Sequence, residues 1–401
     1  MMRYANRLYE AVFLAPSSLS LVLFLLIATS LITWRSWSWV SVSGRRREAW
    51  LALCTILGFS LLDWALLMAL PRLGLSFGPV SSSLAAITLL RMGGLFLVVS
   101  TGLVWKTLQR SRLATKPAAR VSPILIALLI LNLGILAAEI YGMVFEPFNL
   151  GISRLGMESP AFLGDRPLRI VHLTDIHVER ITKREIDMLA AMQDLQPDLI
   201  VLTGDYLNID YVNDPLTQQH GAQVLSQLSA PYGVYAILAP GVDQPQAMAQ
   251  VFGDLENIII LQDEIRRIDF PNRPLYLVGI SKRSIPKDSS ILHDLMAQLP
   301  VGAYSMLLYH TPDLAYAAAQ EKVDLYLAGH THGGQIRLPF YGAVITFSAF
   351  GKQFEMGRYQ IDETTLYVSR GIGMEGLHLP RVRFLCPPEI VLIELGGKTT
   401  P

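Results

Sequence analysis

The chain has 401 residues, is 51% hydrophobic and only 16% charged, and sets 33 basic against 33 acidic side chains. Soluble proteins average about 25% charged residues, and the mean hydropathy here is +0.38, which excludes a disordered chain and argues against a purely soluble one. Two cysteines, Cys54 and Cys386, exclude a disulfide-rich scaffold and a cysteine-based zinc site.

The zero balance conceals a split. Residues 1–147 hold 13 basic and 5 acidic side chains, and residues 148–401 hold 20 and 28, so the two parts carry +8 and −8. Four apolar stretches, roughly 11–33, 49–70, 84–105 and 121–145, meet the ~17–25 residues of a spanning helix. Arg91 interrupts the third and Asp63 lies in the second; a pair between them would lower the cost of both in a bilayer. Glu139 in the fourth has no evident partner. Intramembrane charges can mark a transport path, but three scattered residues fit a plain anchor better. A cleaved signal peptide over residues 1–33 is disfavoured, because no A-x-A site follows the long apolar run and further spans come after it.

Arg35, Arg45, Arg46 and Arg47 follow the first stretch, and Lys106, Arg110, Arg112, Lys116 and Arg120 follow the third. Only Arg72 follows the second, and Arg3 and Arg7 lie in the N-terminal tail. Basic loops stay in the cytoplasm. The expectation is a multi-pass cell-membrane protein with both termini, and the second half of the chain, outside. Trp34, Trp37, Trp39, Trp50 and Trp105 flank the expected cytoplasmic ends. Residues 1–147 are thus read as a four-helix membrane region, 148–166 as a glycine- and proline-bearing linker, and 167–396 as a water-soluble domain.

In that domain Arg169–Thr174 is a short apolar β-branched run and reads as a strand. Lys183–Leu195 has apolar residues at helical spacing. Asp198–Thr203 and Gly233–Leu238 read as strands with the helix Pro215–Leu228 between them. Tyr276–Ile280, Ser305–Tyr309, Leu325–Ala328, Leu366–Ser369 and Ile390–Leu395 are further strands. Strands separated by helices predict an α/β fold, with its chemistry at the carboxyl ends of the strands.

Histidine and aspartate gather at those ends. The first strand runs into Asp175-Ile176-His177, the second into Gly204-Asp205, a later one into His310, and Leu325–Ala328 into Gly329-His330-Thr331-His332-Gly333-Gly334-Gln335. One Asp-x-His is usually a turn and one Gly-Asp usually a cap. Six such residues at strand ends point to Mn, Fe or Zn, for which aspartate and histidine are suited ligands. His172 reads as a packed core residue, His220 and His293 as solvated histidines in helix-like segments, and His378 as an ordinary loop histidine. Arg180 and Arg337 are candidates for an anionic substrate or for the plain surface. Gly333-Gly334 reads as a tight turn whose N–H groups could face phosphate.

The order DIH, GD, YHTPD, GHTHGGQ resembles the calcineurin-like metallophosphoesterase superfamily over roughly residues 168–396. The end, SRGIGMEGLHLPRVRFLCPPEIVLIEL, resembles its membrane-linked bacterial branch, related to UDP-diacylglucosamine pyrophosphatases and phosphodiesterases. The resemblance implies an α/β/β/α sandwich of two mixed sheets behind the helical anchor, with a site for two divalent metal ions. By it, Asp175, His177 and His332 would hold the first metal and His310 and His330 the second. Asp205 would bridge both, and Asp205 and His330 would also serve catalysis, performed by a hydroxide bridging the metals.

One block departs from the family. Where the pattern reads G-N-H-D, this chain reads Ala239-Pro240-Gly241-Val242-Asp243. The family asparagine is a metal ligand and the histidine meets the scissile phosphate. Asp243 could stand in as a ligand in a loop one residue longer, leaving the second metal site otherwise weakened; nothing in the block replaces the histidine. After Gly279-Ile280 the chain has Ser281-Lys282 where the branch often has an acidic residue. The expected protein is a membrane-anchored metal-dependent hydrolase of a phosphodiester or pyrophosphate, possibly lipid-linked. Its partners would be a phosphorylated small molecule or lipid headgroup and the bilayer. The net acidic domain argues against nucleic acid. The alternative is a catalytically impaired relative serving as a metal-binding regulatory or interaction module.

Overall fold

The structure is a computed structural model and describes residues 46–109, 123–158, 162, 166–239, 241–271, 273–375 and 380–396. The first apolar stretch, 11–33, lies outside the described residues, as do most of the basic loop residues and His378. The described residues divide into two compact units, one ending at Val144 and including a short piece that ends at Arg381, the other beginning at Phe145.

The first unit holds helices α1 (Arg46–Ala69), α2 (Val80–Gln109) and α3 (Pro123–Ile140). Pro71 and Gly74, at positive φ, close α1, and Pro123 opens α3, where its missing N–H is no loss. Trp50–Ala69, Val80–Val98 and Pro123–Phe148 are long and apolar enough to cross a membrane. Ala52, Ile56, Leu95 and Leu128 pack where the helices meet. Arg91 is fully buried and grips Asp63 through two bonds of 2.7 and 2.6 Å, as the sequence predicts. Glu139, without an evident partner in the sequence, also meets Arg91 at 3.1 Å. Asn132 supplies two further acceptors to the same guanidinium.

The second unit is an α/β/β/α sandwich. One six-stranded sheet runs β1 (Gly151–Met157), β14 (Glu389–Leu395), β2 (Leu168–Leu173), β3 (Leu199–Leu202), β4 (Val234–Ala236), β5 (Ile258–Ile260). The other runs β12 (Gly357–Ile361), β13 (Thr364–Val368), β9 (Leu325–Ala328), β8 (Tyr304–Leu308), β7 (Pro274–Gly279), β6 (Glu264–Asp269). Both are mixed: β2 to β5 are parallel and β14 is antiparallel to β2, while β7, β8, β9 and β13 are parallel between antiparallel edges. A small hairpin, β10 (Arg337–Leu338) and β11 (Gly342–Ala343), stands apart.

Alternation along each strand makes the layers. Ile170, Leu199 and Val201 meet Met306, Leu308, Leu325 and Leu327 between the sheets. Val171, Leu173, Ile200 and Leu202 turn the other way, onto α4 (Lys183–Leu195), α5 (Pro215–Leu225) and α6 (Pro245–Phe252). On the far side Leu307 and Tyr326 face α7 (Ile285–Met296) and α8 (Ala315–Gln320). α4 starts with a capping box, in which Thr182 accepts from the Arg184 N–H and Glu185 accepts from the Thr182 N–H. Residues 148–166, read as a linker, instead contain β1, which pairs with β14 along its whole length.

Candidate metal centre

Five parallel strands deliver the site from their carboxyl ends. β2 leads to Asp175 and His177, β3 to Asp205, β8 to His310, and β9 to His330 and His332. β13 adds the loop that carries Glu375. The backbone there is unusual. Asp175, His177, Asp205, His330 and His332 all have φ between 45° and 70°, a region that L-residues enter at a cost of about 1–3 kcal/mol each. Tertiary bonds hold them in it. The Asp175 N–H donates to Gly204 O at 3.0 Å and the His177 N–H to Asp205 O at 3.0 Å. The His330 N–H donates to the Asp175 carboxylate at 3.0 Å, joining the two sheets. Glycines permit the approach: a Cβ on Gly329 would lie 2.1 Å from Asp175 Oδ2, and one on Gly373 would lie 2.6 Å from His177 Cβ.

The side chains form two groups, each able to hold a metal ion: Asp175, His177 and His332, and Asp205, His310 and His330. All six sequence-predicted ligands therefore come together. Asp205 Oδ2 stands 3.5 Å from His177 Nε2 and 3.4 Å from His310 Nε2, facing both groups. Its other oxygen is buried without a hydrogen-bond partner.

The donors fit cations. The far nitrogen of His310 donates to Thr203 O at 2.8 Å, and that of His330 to Phe347 O at 3.3 Å. A carbonyl can only accept, so in the neutral imidazoles the near nitrogens, 3.2 Å apart, carry the lone pairs. Glu375 Oε2 lies 3.4 Å from His177 Nδ1, and His177 Nε2 faces His332 Nε2 at 3.1 Å. Second acceptors that fix the tautomer are the usual support of metal-binding imidazoles. Burial, aided by His310 and Lys282, lowers His330 to about 3; burial and His177 hold His332 well below its ordinary value. Both are neutral donors, as metal binding requires. Burial would lower His310 too, but Asp205 outweighs it and brings it up to about 9. Burial raises Asp205, yet His310, then His177 and His330, hold it at about 2. The imidazoles thus hold Asp205 ionised, whereas burial raises Asp175; a divalent cation would stabilise both carboxylates as anions.

Asp243 lies in neither group. Its carboxylate accepts from the backbone N–H groups of Ala239 (2.8 Å), Asp205 (3.0 Å) and Tyr206 (3.1 Å). Burial and the nearby Asp205 push it up to about 7. It braces the loop after β4 against Asp205. Arg180 is committed to Asp214 at 2.7 Å and Arg337 to Glu355 at 2.8 Å. The N–H groups of Gly333 and Gly334 donate to Thr331 rather than facing outward. His172 is the packed core residue expected, bonded to Thr203 Oγ1 at 2.8 Å and lowered to about 3 by burial. His220 departs from expectation: it is half-buried and accepts from the Ile181 N–H. His293 is exposed and pairs with Glu321.

Two residues of the site have no signal in the sequence. Glu375 sits in an aperiodic loop. Arg383 is fully buried without an acidic partner; its guanidinium donates to the carbonyls of Arg370, Gly371, Gly373 and Cys386 and lies 3.4 Å from His332 Nδ1. It ties the loop after β13 to His332.

No family model matches the chain. Among curated proteins, an uncharacterized metallophosphoesterase of Bacillus subtilis, YkuE, is 34% identical over 57% of this chain and 78% of its own length. The phosphodiesterase YaeI of Escherichia coli is 29% identical over 59% of this chain and 85% of its own. The UDP-2,3-diacylglucosamine pyrophosphatase LpxG of Chlamydia trachomatis is 25% identical over 65% of this chain and 94% of its own.

Proposed function

The chain belongs to the metallophosphoesterase family, and we propose that it is a membrane-anchored hydrolase of phosphodiester or pyrophosphate bonds in lipid-linked substrates. The observation that carries this reading is the Asp205 carboxylate facing both three-residue groups at 3.5 and 3.4 Å. Asp175, His177 and His332 would hold one divalent cation, His310 and His330 a second, and Asp205 would serve both. Cations of this kind supply charge stabilisation at the phosphoryl group and an acidified water. The chain's own contribution is to fix the lone pairs of His310 and His330 inward through Thr203 O and Phe347 O, and to exclude water behind the buried carboxylates. The apolar helices support anchoring, and the basic residues near 35–47 and 106–120 support an α/β unit outside the cytoplasm. The pyrophosphatase and phosphodiesterase relatives support the bond type.

The loop after β4 favours a restriction on this activity. The block Ala239-Pro240-Gly241-Val242-Asp243 lacks the family asparagine and histidine in any register, and Asp243 is engaged by backbone N–H groups. With no histidine on this loop and the Asp243 oxygens held by backbone N–H groups, the site suits leaving groups that are already stable anions. The test is hydrolysis of bis-p-nitrophenyl phosphate by the full chain in detergent with Mn²⁺, beside Asp205→Ala. Losing a shared ligand should cost more than the about 10–100-fold typical of outer partners. Equal rates in the two proteins would overturn the enzyme reading and leave the metal-binding module.

A further inference from the structure

The hairpin β10–β11 and the segment after it expose a run of large apolar side chains. Leu338, Phe340, Tyr341, Val344, Ile345 and Phe347 are all exposed, Phe340 completely so at 110%. Scattered surface hydrophobics are ordinary, but a contiguous run marks an interaction surface. Phe340 (φ 64°) and Phe347 (φ 54°) also hold left-handed backbone, which bulky side chains avoid. Neither recovers that cost by burial in the core.

The hairpin is nevertheless pinned. A Cβ on Gly334 would lie 2.3 Å from Ala343 Cβ, so the hairpin packs against the turn that carries His332. Glu355 accepts from the Arg337 guanidinium at 2.8 Å and from the Ala343 N–H at 3.1 Å. The Lys352 amino group lies 3.5 Å over the Tyr341 ring and donates to the Tyr341 carbonyl. Phe347 O meets His330 Nε2 at 3.3 Å. The exposed run therefore adjoins the metal-facing histidines directly.

Its charge completes the pattern. Residues 338–347 have no charged side chain and are followed by Lys352, while Arg337 just before them is paired with Glu355. Aromatic and aliphatic side chains with a basic flank are the composition of an element lying in a membrane interface beside anionic lipid. The same chain carries helices that could cross a bilayer, so a lipid surface is the partner at the highest local concentration. Resting on the function proposed above, we propose that residues 338–347 lie in the bilayer interface and present the phosphoester of a membrane-resident lipid to the two His/Asp groups.

The test uses the full chain in phosphatidylcholine–phosphatidylglycerol vesicles with bromine on the acyl chains. Cys54, the exposed thiol, is removed as Cys54→Ser, and Cys386 is buried. An environment-sensitive fluorophore is placed at Phe340→Cys, repeated at Ile345→Cys, with Val301→Cys, fully exposed in the turn before β8, as control. The hairpin probes should shift to the blue and lose fluorescence to bromine, while the control does neither. Hairpin probes that behave like the control would overturn the proposal. A blue shift without bromine quenching would also overturn it, since protein and not lipid would then cover the hairpin. Hydrolysis of bis-p-nitrophenyl phosphate by the same samples separates the two readings. Quenched probes on an inactive chain keep the lipid surface and sink the enzyme; water-exposed probes on an active chain do the reverse.

Discussion

At the scale of single residues, the proposed restriction to stable leaving anions can be tested at Val242. A general acid typically contributes about 10²–10⁴-fold when the leaving group must be protonated. The bracing of Asp243 on Ala239, Asp205 and Tyr206 holds the loop close to Asp205, and Val242 is the residue just before it. Val242→His should raise hydrolysis of an alkyl phosphodiester on the order of 10²-fold. It should leave bis-p-nitrophenyl phosphate almost unchanged, because p-nitrophenolate departs without a proton. Comparing the two rates in one preparation checks this. A gain of equal size on both substrates would mean that the new imidazole acts through the metal sites instead. The six site residues were legible in the sequence because each follows an apolar strand and strand ends point to one crevice. Glu375 and Arg383 were not, because an irregular loop has no period and Arg383 acts through carbonyls that only the fold assembles.

At the scale of elements, the three apolar helices carry a charge cluster that their hydropathy alone would not place. Arg91 on α2 binds Asp63 on α1 and both Asn132 and Glu139 on α3. The Asp63–Arg91 pair was readable because both lie in apolar stretches. The share taken by Glu139 was not, since nothing in the sequence fixes the rotation of α3 against α2. Breaking a buried cluster by one member leaves an uncompensated charge, at about 3–5 kcal/mol, whereas replacing all members with apolar residues of similar volume is often neutral. Arg91→Met alone should therefore lower the thermal midpoint of the full chain in detergent. The triple change Asp63→Leu, Arg91→Met, Glu139→Leu should recover most of the loss. A triple variant weaker than the single one would show that the cluster has a role beyond mutual compensation. Among the strands, those with β-branched apolar runs were readable to within a residue or two, as in Leu325–Ala328. The edge strand β6 was not: its sequence EIRRID carries the charges by which edge strands discourage aggregation and lacks the apolar run that marks the other strands.

At the scale of the whole molecule, the question is where the α/β unit begins. Composition places a linker at 148–166, because Gly151, Gly156 and Pro160 outweigh the few apolar residues near them. The strand β1 forms there because its partner β14 comes more than two hundred residues later, and strand propensity is decided by such pairings. Seven residues pair in parallel from Gly151↔Glu389 to Met157↔Leu395. Leu155 enters the core between the sheets, and Phe162 packs edge-on to Tyr304 at 5.2 Å. A fragment starting at residue 165 loses both side chains, at about 1.5–3 kcal/mol each, and turns β14 into an open edge. A fragment starting at Phe145 keeps them. The fragment 145–401 should therefore run as a single species in size-exclusion chromatography with light scattering. The fragment 165–401 should aggregate, or melt lower by on the order of 10 °C. If the two fragments behave alike in both measurements, β1 is dispensable and the unit begins at β2, where the composition of the chain alone would put it.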